Sequence, residues 1–171
     1  ASAGPGGSIT PSGPVPVACG GSQTFLIAPN ACFAILDVKV DGVSVGAVAS
    51  YPFADVQANH TIAATFVSSP TPTTTTLSSD VPKTTCTGKF NLTAEVQPAG
   101  GGGTVQFFDN GNPIGGPVPV DPFGFASLSV TGLPPGSHSI IATYGGAGCY
   151  LPSTSSTIVL TVGRVATSVA I

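Results

Sequence analysis

Four cysteines, two histidines and seven carboxylates are the residues of this 171-residue chain whose types and spacing could do chemistry. The cysteines fall in two pairs along the chain, Cys19 with Cys32 and Cys86 with Cys149. An even, segregated set points to two local disulfides, Cys19–Cys32 and Cys86–Cys149. In the chain-entropy picture the short loop would contribute about 3 kcal/mol and the longer one about 4 kcal/mol. A zinc site is the rival reading, but no CxxC pair and no neighbouring histidine supports it. His60 and His138 each open a run of strand-forming residues. A catalytic base needs a nucleophile and an orienting carboxylate, and nothing in the spacing supplies either, so both are read as structural. Asp37, Asp41, Asp55, Asp80, Glu95, Asp109 and Asp121 are scattered and do not form a calcium loop. Asp109-Asn110-Gly111-Asn112 reads as a turn first and a weak cation site second. No catalytic, cofactor-binding or metal-binding residue is therefore expected, and the chain is read as non-enzymatic. Asn59-His60-Thr61 and Asn91-Leu92-Thr93 fit the N-glycosylation pattern, so Asn59 and Asn91 are candidate acceptors, while Thr71 and Thr73 to Thr76 could carry O-linked sugar.

The elements that position these residues belong to a chain of unusual surface. Charged residues are 6% of the total, against about a quarter in an ordinary soluble domain, and the mean hydropathy is +0.43. A surface unprotected by charge points to coverage by copies of the same chain. Disorder is excluded by the abundance of Val, Ile, Leu and Phe. Four basic residues cannot make a phosphate-neutralising patch, which argues against nucleic acid. No run of 18 apolar residues is present, so no membrane-spanning helix is expected, and the small-residue start Ala1-Ser2-Ala3-Gly4 suits the mature end of a secreted protein.

Helical periodicity is absent, and 23 glycines and 17 prolines punctuate short β-branched and aromatic runs. The fold class is all-β: two tandem Ig-like or related β-repeat modules, built as antiparallel sandwiches. The segment Ser68 to Thr76, rich in Pro and Thr, reads as a short stiff linker. The expected division is a flexible Gly/Pro leader at 1–7, a small module at 8–68, a larger one at 69–162 with the linker at its start, and an extended strand at 163–171. In the first module Gln23 to Ile27 forms a strand; Leu36, Val38 and Val40 alternate with Asp37 and Lys39, and Asp41-Gly42 is a hairpin turn before Val43-Ser44-Val45. His60 to Phe66 closes the module. In the second, Thr73 to Leu77, Phe90 to Val96, Val105 with Phe107, Ala126 to Val130, His138 to Tyr144 and Thr157 to Val162 make the short, evenly spaced strands of a sandwich.

These residues carry a resemblance. Ile9-Thr10-Pro11-Ser12-Gly13, Gly21 to Phe25, Pro29-Asn30-Ala31, Val40 to Gly46 and Ala58 to Ile62 resemble the divergent internalin-B-type bacterial repeat. Thr104 to Asp109, Leu133 to His138 and Ala142-Thr143-Tyr144 resemble the bacterial Ig-like repeats of large surface proteins. The resemblance implies a structural or adhesive role outside the cell, and it brings no catalytic residues. The cysteines depart from both patterns: Cys32 stands where Gly is common, and Cys149 lies in the loop after Tyr144.

The function these features predict is that of an extracellular or cell-surface structural subunit polymerising into a filament or pilus-like fibre through strand edges or apolar faces. The alternatives are a module pair of a larger adhesin that binds carbohydrate or a host surface, and a spacer of a secreted glycan-active enzyme. Val165, Thr167, Val169 and Ile171 line one face of the C-terminal segment and are candidates for a donor strand that pairs with a neighbouring copy; the competing reading makes this segment the first strand of a further repeat.

Overall fold

The computed structural model describes residues 1–85 and 88–164, with Cys86 and the segment 165–171 outside that range. The chain divides into two compact units, Ala1–Pro70 and Thr71–Ile171.

The first unit contains β1 (Ser2–Ala3), β2 (Gly7–Thr10), β3 (Gln23–Pro29), β4 (Phe33–Val40), β5 (Val43–Gly46), β6 (Ser50–Phe53) and β7 (Ile62–Ser68). Two sheets form, in the orders β1-β7-β4-β5 and β2-β3-β6. Ile9, Phe25, Ile27, Val38, Ile62 and Ala64 make the core between them. The expected turn is present: Asp41 and Gly42 have φ of 50° and 82°, and Val40 pairs with Val43 across it. Positive φ at both central residues gives the tight hairpin whose twist matches the strands.

Two expectations for this unit are corrected. The stretch 1–7 is not a flexible leader, because Ser2 and Ala3 pair in parallel with Ala63 and Ala64 and Gly7 pairs with Pro29. Leu36 does not join Val38 on the buried face. The β4–β7 register shifts between Ile35 and Asp37, so Leu36 is the extra residue of a bulge and stands 58% exposed, while Ile35 packs against the core. A bulge reverses the alternation on one side of itself.

The second unit contains β8 (Thr74–Ser79), β9 (Lys83–Thr85), β10 (Lys89–Gln97), β11 (Thr104–Asp109), β12 (Asn112–Pro119), β13 (Phe125–Thr131), β14 (Gly136–Tyr144), β15 (Ser153–Thr154) and β16 (Ile158–Gly163). One sheet has the order β13-β10-β8, the other β12-β11-β14-β16-β9 with β15 on β14. Alternate residues of β10, β11, β14 and β16, among them Phe90, Phe107, Tyr144 and Leu160, fill a single apolar core. The alternating pattern thus produces the half-buried strands it predicts.

The sheets are not wholly antiparallel, since β9 runs parallel to β16 as β1 does to β7. β12 is absent from the strands expected above because it carries Pro113, Pro117 and Pro119. Its place at a sheet edge, with a register shift against β11, is where missing N–H donors are tolerated. The Thr-rich stretch runs into a strand, as expected for Thr73 to Leu77, and its hydroxyls tie it to β15 and the loop before it. Thr73 Oγ1 donates to Leu151 O at 2.8 Å, Thr75 Oγ1 lies 2.7 Å from Ser153 Oγ, and Thr74 begins β8.

Candidate functional site

In the first unit, two coil segments are tied together by reciprocal backbone bonds. Gly20 N–H donates to Val56 O and Val56 N–H donates to Gly21 O, both at 2.9 Å. Beside this tie opens a groove of about 580 Å³ whose lining includes Phe25 and Phe53 with Cys19, Gln23, Gln57 and Asn59. No Asp, Glu, Lys or Arg side chain lines it, so its walls offer amides, a thiol, an imidazole and apolar surface. Phe53 anchors the aromatic side, meeting Phe25 edge-on at 5.8 Å and Tyr51 edge-on at 5.0 Å, with the His60 ring stacked on it at 5.2 Å.

His60 is oriented from behind by Asp41. Its Nδ1 lies 2.7 Å from Asp41 Oδ2, while Asp41 Oδ1 accepts the Thr61 N–H at 2.7 Å and the Thr61 hydroxyl at 3.3 Å. The Thr61 backbone donor, then His60, hold the Asp41 carboxyl below its ordinary value.

The second unit builds a related pair in a buried setting. His138 Nδ1 lies 2.6 Å from Asp109 Oδ2, and its Nε2 lies 2.8 Å from Pro134 O. Burial alone would push this imidazole down, but the bonds to Asp109 and Pro134 outweigh it and hold His138 above its ordinary value. Neither imidazole–carboxylate pair was legible in the spacing, because each depends on a strand returning beside a turn many residues away. The hydrogen bonds of both histidines end on carboxylate and carbonyl oxygens. The structure therefore gives each histidine the orienting carboxylate that sequence reasoning found missing. Among the described residues no group of three or more His, Cys, Asp or Glu could hold a metal ion.

The cysteine pairing is corrected. Cys19 is a free, exposed thiol, whereas Cys32 and Cys149 are each disulfide-bonded. A Cys19–Cys32 bridge is not formed because the seven residues of β3 lie between the two. An extended strand of that length carries its ends about 20 Å apart, far beyond the roughly 7 Å over which Cα atoms can be bridged. Cys32 occupies a turn in which Phe33 N–H donates to Asn30 O at 3.1 Å, and its φ of 65° is the left-handed conformation that glycine favours. The Cys86–Cys149 pairing rests on a residue outside the described range.

The two sequons differ. Asn59 is exposed at the groove. Asn91 donates through Nδ2 to Asp80 Oδ2 at 2.8 Å and accepts from Ser129 Oγ at 2.5 Å, so its amide is in use. The hydroxyls of Thr73 and Thr75, offered above for O-linked sugar, are similarly engaged. Val165, Thr167, Val169 and Ile171 lie outside the described residues.

A family model described as bacterial Ig-like domain (group 3) matches residues 77–163, just over half of the chain. The chain belongs to the bacterial Ig-like domain (group 3) family. The match covers every strand of the second unit except the first residues of β8, so this unit is an Ig-like sandwich, with Asp109 and His138 inside the family's own boundaries. No curated protein matches the chain. Among solved structures, the chain is similar to a protein of Corynebacterium diphtheriae described as membrane anchored, at 18% identity over 88% of this chain and 32% of that one, TM-score 0.42. It is also similar to a 1.5-MDa bacterial ice-binding adhesin, at 16% identity over 86% of this chain and 60% of the other, TM-score 0.42. A Ca2+-stabilized adhesin of an Antarctic bacterium follows, at 18% identity over 88% and 46%, TM-score 0.40. The chain spans 32% to 60% of the solved chains it matches. None of these likenesses assigns a ligand to the Ig-like unit or to its neighbour.

Proposed function

We propose that this chain is an extracellular, non-enzymatic structural segment of a bacterial surface protein of the adhesin type. The observation that carries the reading is the Ig-like family match over 77–163. Two features support it. Disulfide-bonded Cys32 and Cys149 fit an oxidising compartment outside the cytosol, and a surface poor in charge fits a chain that works against other surfaces. The test is surface proteolysis of intact cells of the source organism. The reading requires that peptides of this chain be released without lysis; their recovery only from the cytosolic fraction sinks it.

A second reading is self-association, as a fibre subunit. It is favoured by Leu26, Leu36, Val43, Phe123 and Val159, which stand 58%, 58%, 68%, 74% and 64% exposed. Large apolar side chains in water favour burial against a partner, here a second copy. Sedimentation velocity across a hundredfold concentration range, with electron microscopy of the same samples, tests it. A chain that stays monomeric throughout removes this reading and leaves the adhesin segment standing. Deleting Arg164 to Ile171 separates the donor-strand version, in which assembly is lost, from association through apolar faces, in which it persists.

A further inference from the structure

His138 is placed so that both of its ring nitrogens face acceptors. Nδ1 points at the Asp109 carboxylate at 2.6 Å and Nε2 at the Pro134 carbonyl at 2.8 Å. A neutral imidazole has one N–H and one lone pair, so one of these contacts would set a lone pair against an oxygen lone pair. Only the imidazolium donates to both. The pair is shielded from water, with side-chain exposures of 5% and 16%, and Asp109 Oδ1 is buried with no hydrogen-bond partner. Among the described residues the imidazolium is thus the one donor to that carboxylate's side chain, and losing its proton leaves a buried charge uncompensated.

The contacts join three elements. Asp109 ends β11 at the turn into β12, His138 lies on β14, and Pro134 belongs to the loop before β14. The turn is docked on β14 by two further bonds. Asn110 N–H donates to Ser139 O at 2.9 Å, and Ser139 N–H donates to Asn110 Oδ1 at 3.2 Å. From β16 the strand partner of His138 is Leu160, which carries no charge. The remaining charged side chains of the described unit are engaged elsewhere or face solvent: Glu95 accepts from Gln97, and Asp80, Lys83, Lys89, Asp121 and Arg164 are exposed.

We infer that His138 is a protonation-dependent clamp, fastening the Asp109–Asn112 turn at the end of the β11–β12 hairpin onto the start of β14 while its ring carries both protons and loosening that turn when one is lost, with the β11–β14 ladder from Val105 to Asp109 left paired. The direction of its titration, held above the ordinary value, extends the closed state to higher pH than a free imidazole would. His60 is the internal contrast. It engages one nitrogen, Nδ1, with an exposed carboxylate, with side-chain exposures of 37% and 47%.

The experiment is a long-range 1H–15N titration of the histidine rings in the intact chain from pH 5 to 9.5, together with amide exchange at Asn110 and Ser139. The expected result is a His138 ring that keeps both protons to higher pH than a free imidazole. Its midpoint lies above 6.5, and protection at both amides falls at least tenfold, after correction for intrinsic rates, as pH passes through that midpoint. Asp109→Asn is expected to shift the His138 midpoint downward while leaving that of His60 unchanged. A His138 midpoint at or below 6.5 overturns the clamp in the unmodified chain whether or not the variant folds. Amide protection that ignores the titration overturns the release.

Discussion

The Cys19 thiol donates to Gln57 Oε1 at 3.1 Å, binding the segment before β3 to the segment before β7. Gln57 in turn donates to Asp55 Oδ1 at 2.6 Å. The cysteine therefore belongs to the rim of the groove, not to a disulfide. Iodoacetamide applied without reductant is expected to label Cys19, while Cys32 and Cys149 label only after reduction. Cys19→Ser, which keeps a donor at this exposed position, should alter stability by no more than about 0.5 kcal/mol. Peptide mapping that finds Cys19 in a disulfide of the folded monomer would contradict this.

The bulge in β4 separates two residues that an alternating pattern treats alike. Val38 is fully buried and Leu36 is 58% exposed. Val38→Ala is expected to cost about 2 kcal/mol through lost burial and the cavity left behind, and Leu36→Ala about 0.5 kcal/mol or less. Urea unfolding of the two variants checks the ordering, and equal losses would place Leu36 in the core after all.

Gly124 is required by its surroundings as well as by its backbone. Its φ is 94°, and a Cβ there would lie 2.5 Å from Val96 O, the carbonyl of a central strand. Gly111 has φ of 82° but nothing within 4 Å. Gly124→Ala should therefore cost more than Gly111→Ala, about 3 kcal/mol against about 1 kcal/mol, in thermal or chemical unfolding. A ratio near one would mean that strained φ alone sets the cost.

The first unit should lose stability in acid. Because Asp41 is held below its ordinary 3.8 by Thr61 and then His60, its stabilising effect is present above 3.8 and lost as pH falls through the lower, folded value. Asp41→Asn should flatten that part of the stability profile. An unchanged acid limb in this variant would show that other carboxylates produce it.

In a glycosylating expression host, Asn59 is expected to be occupied more fully than Asn91. Asn59 is exposed, whereas the Asn91 amide already bonds Asp80 and Ser129. Glycopeptide mapping reads the ratio, and preferential modification of Asn91 would show that its hydrogen bonds do not hold it.

Alternation and turn chemistry were sufficient to specify the all-β class, the strands around Phe25, Phe90 and Ile140, and both tight hairpins, because period-2 burial and the φ > 0 preference of Asp-Gly and Asn-Gly are local properties. The distance between Cys19 and Cys32 was also legible in principle. A strand predicted between two cysteines carries them apart, and that signal outweighs their closeness in sequence. Other features were decided only by tertiary structure. A bulge is a mismatch between two strands, so Leu36 could not reveal its exposure from its own neighbours. The prolines of β12 are tolerated because that strand lies at an edge, which is a property of the sheet. Asp41 meets His60, and Asp109 meets His138, across 19 and 29 residues. Those encounters follow from which strands lie side by side, and strand order is set by burial of the whole core, not by any local run of residues.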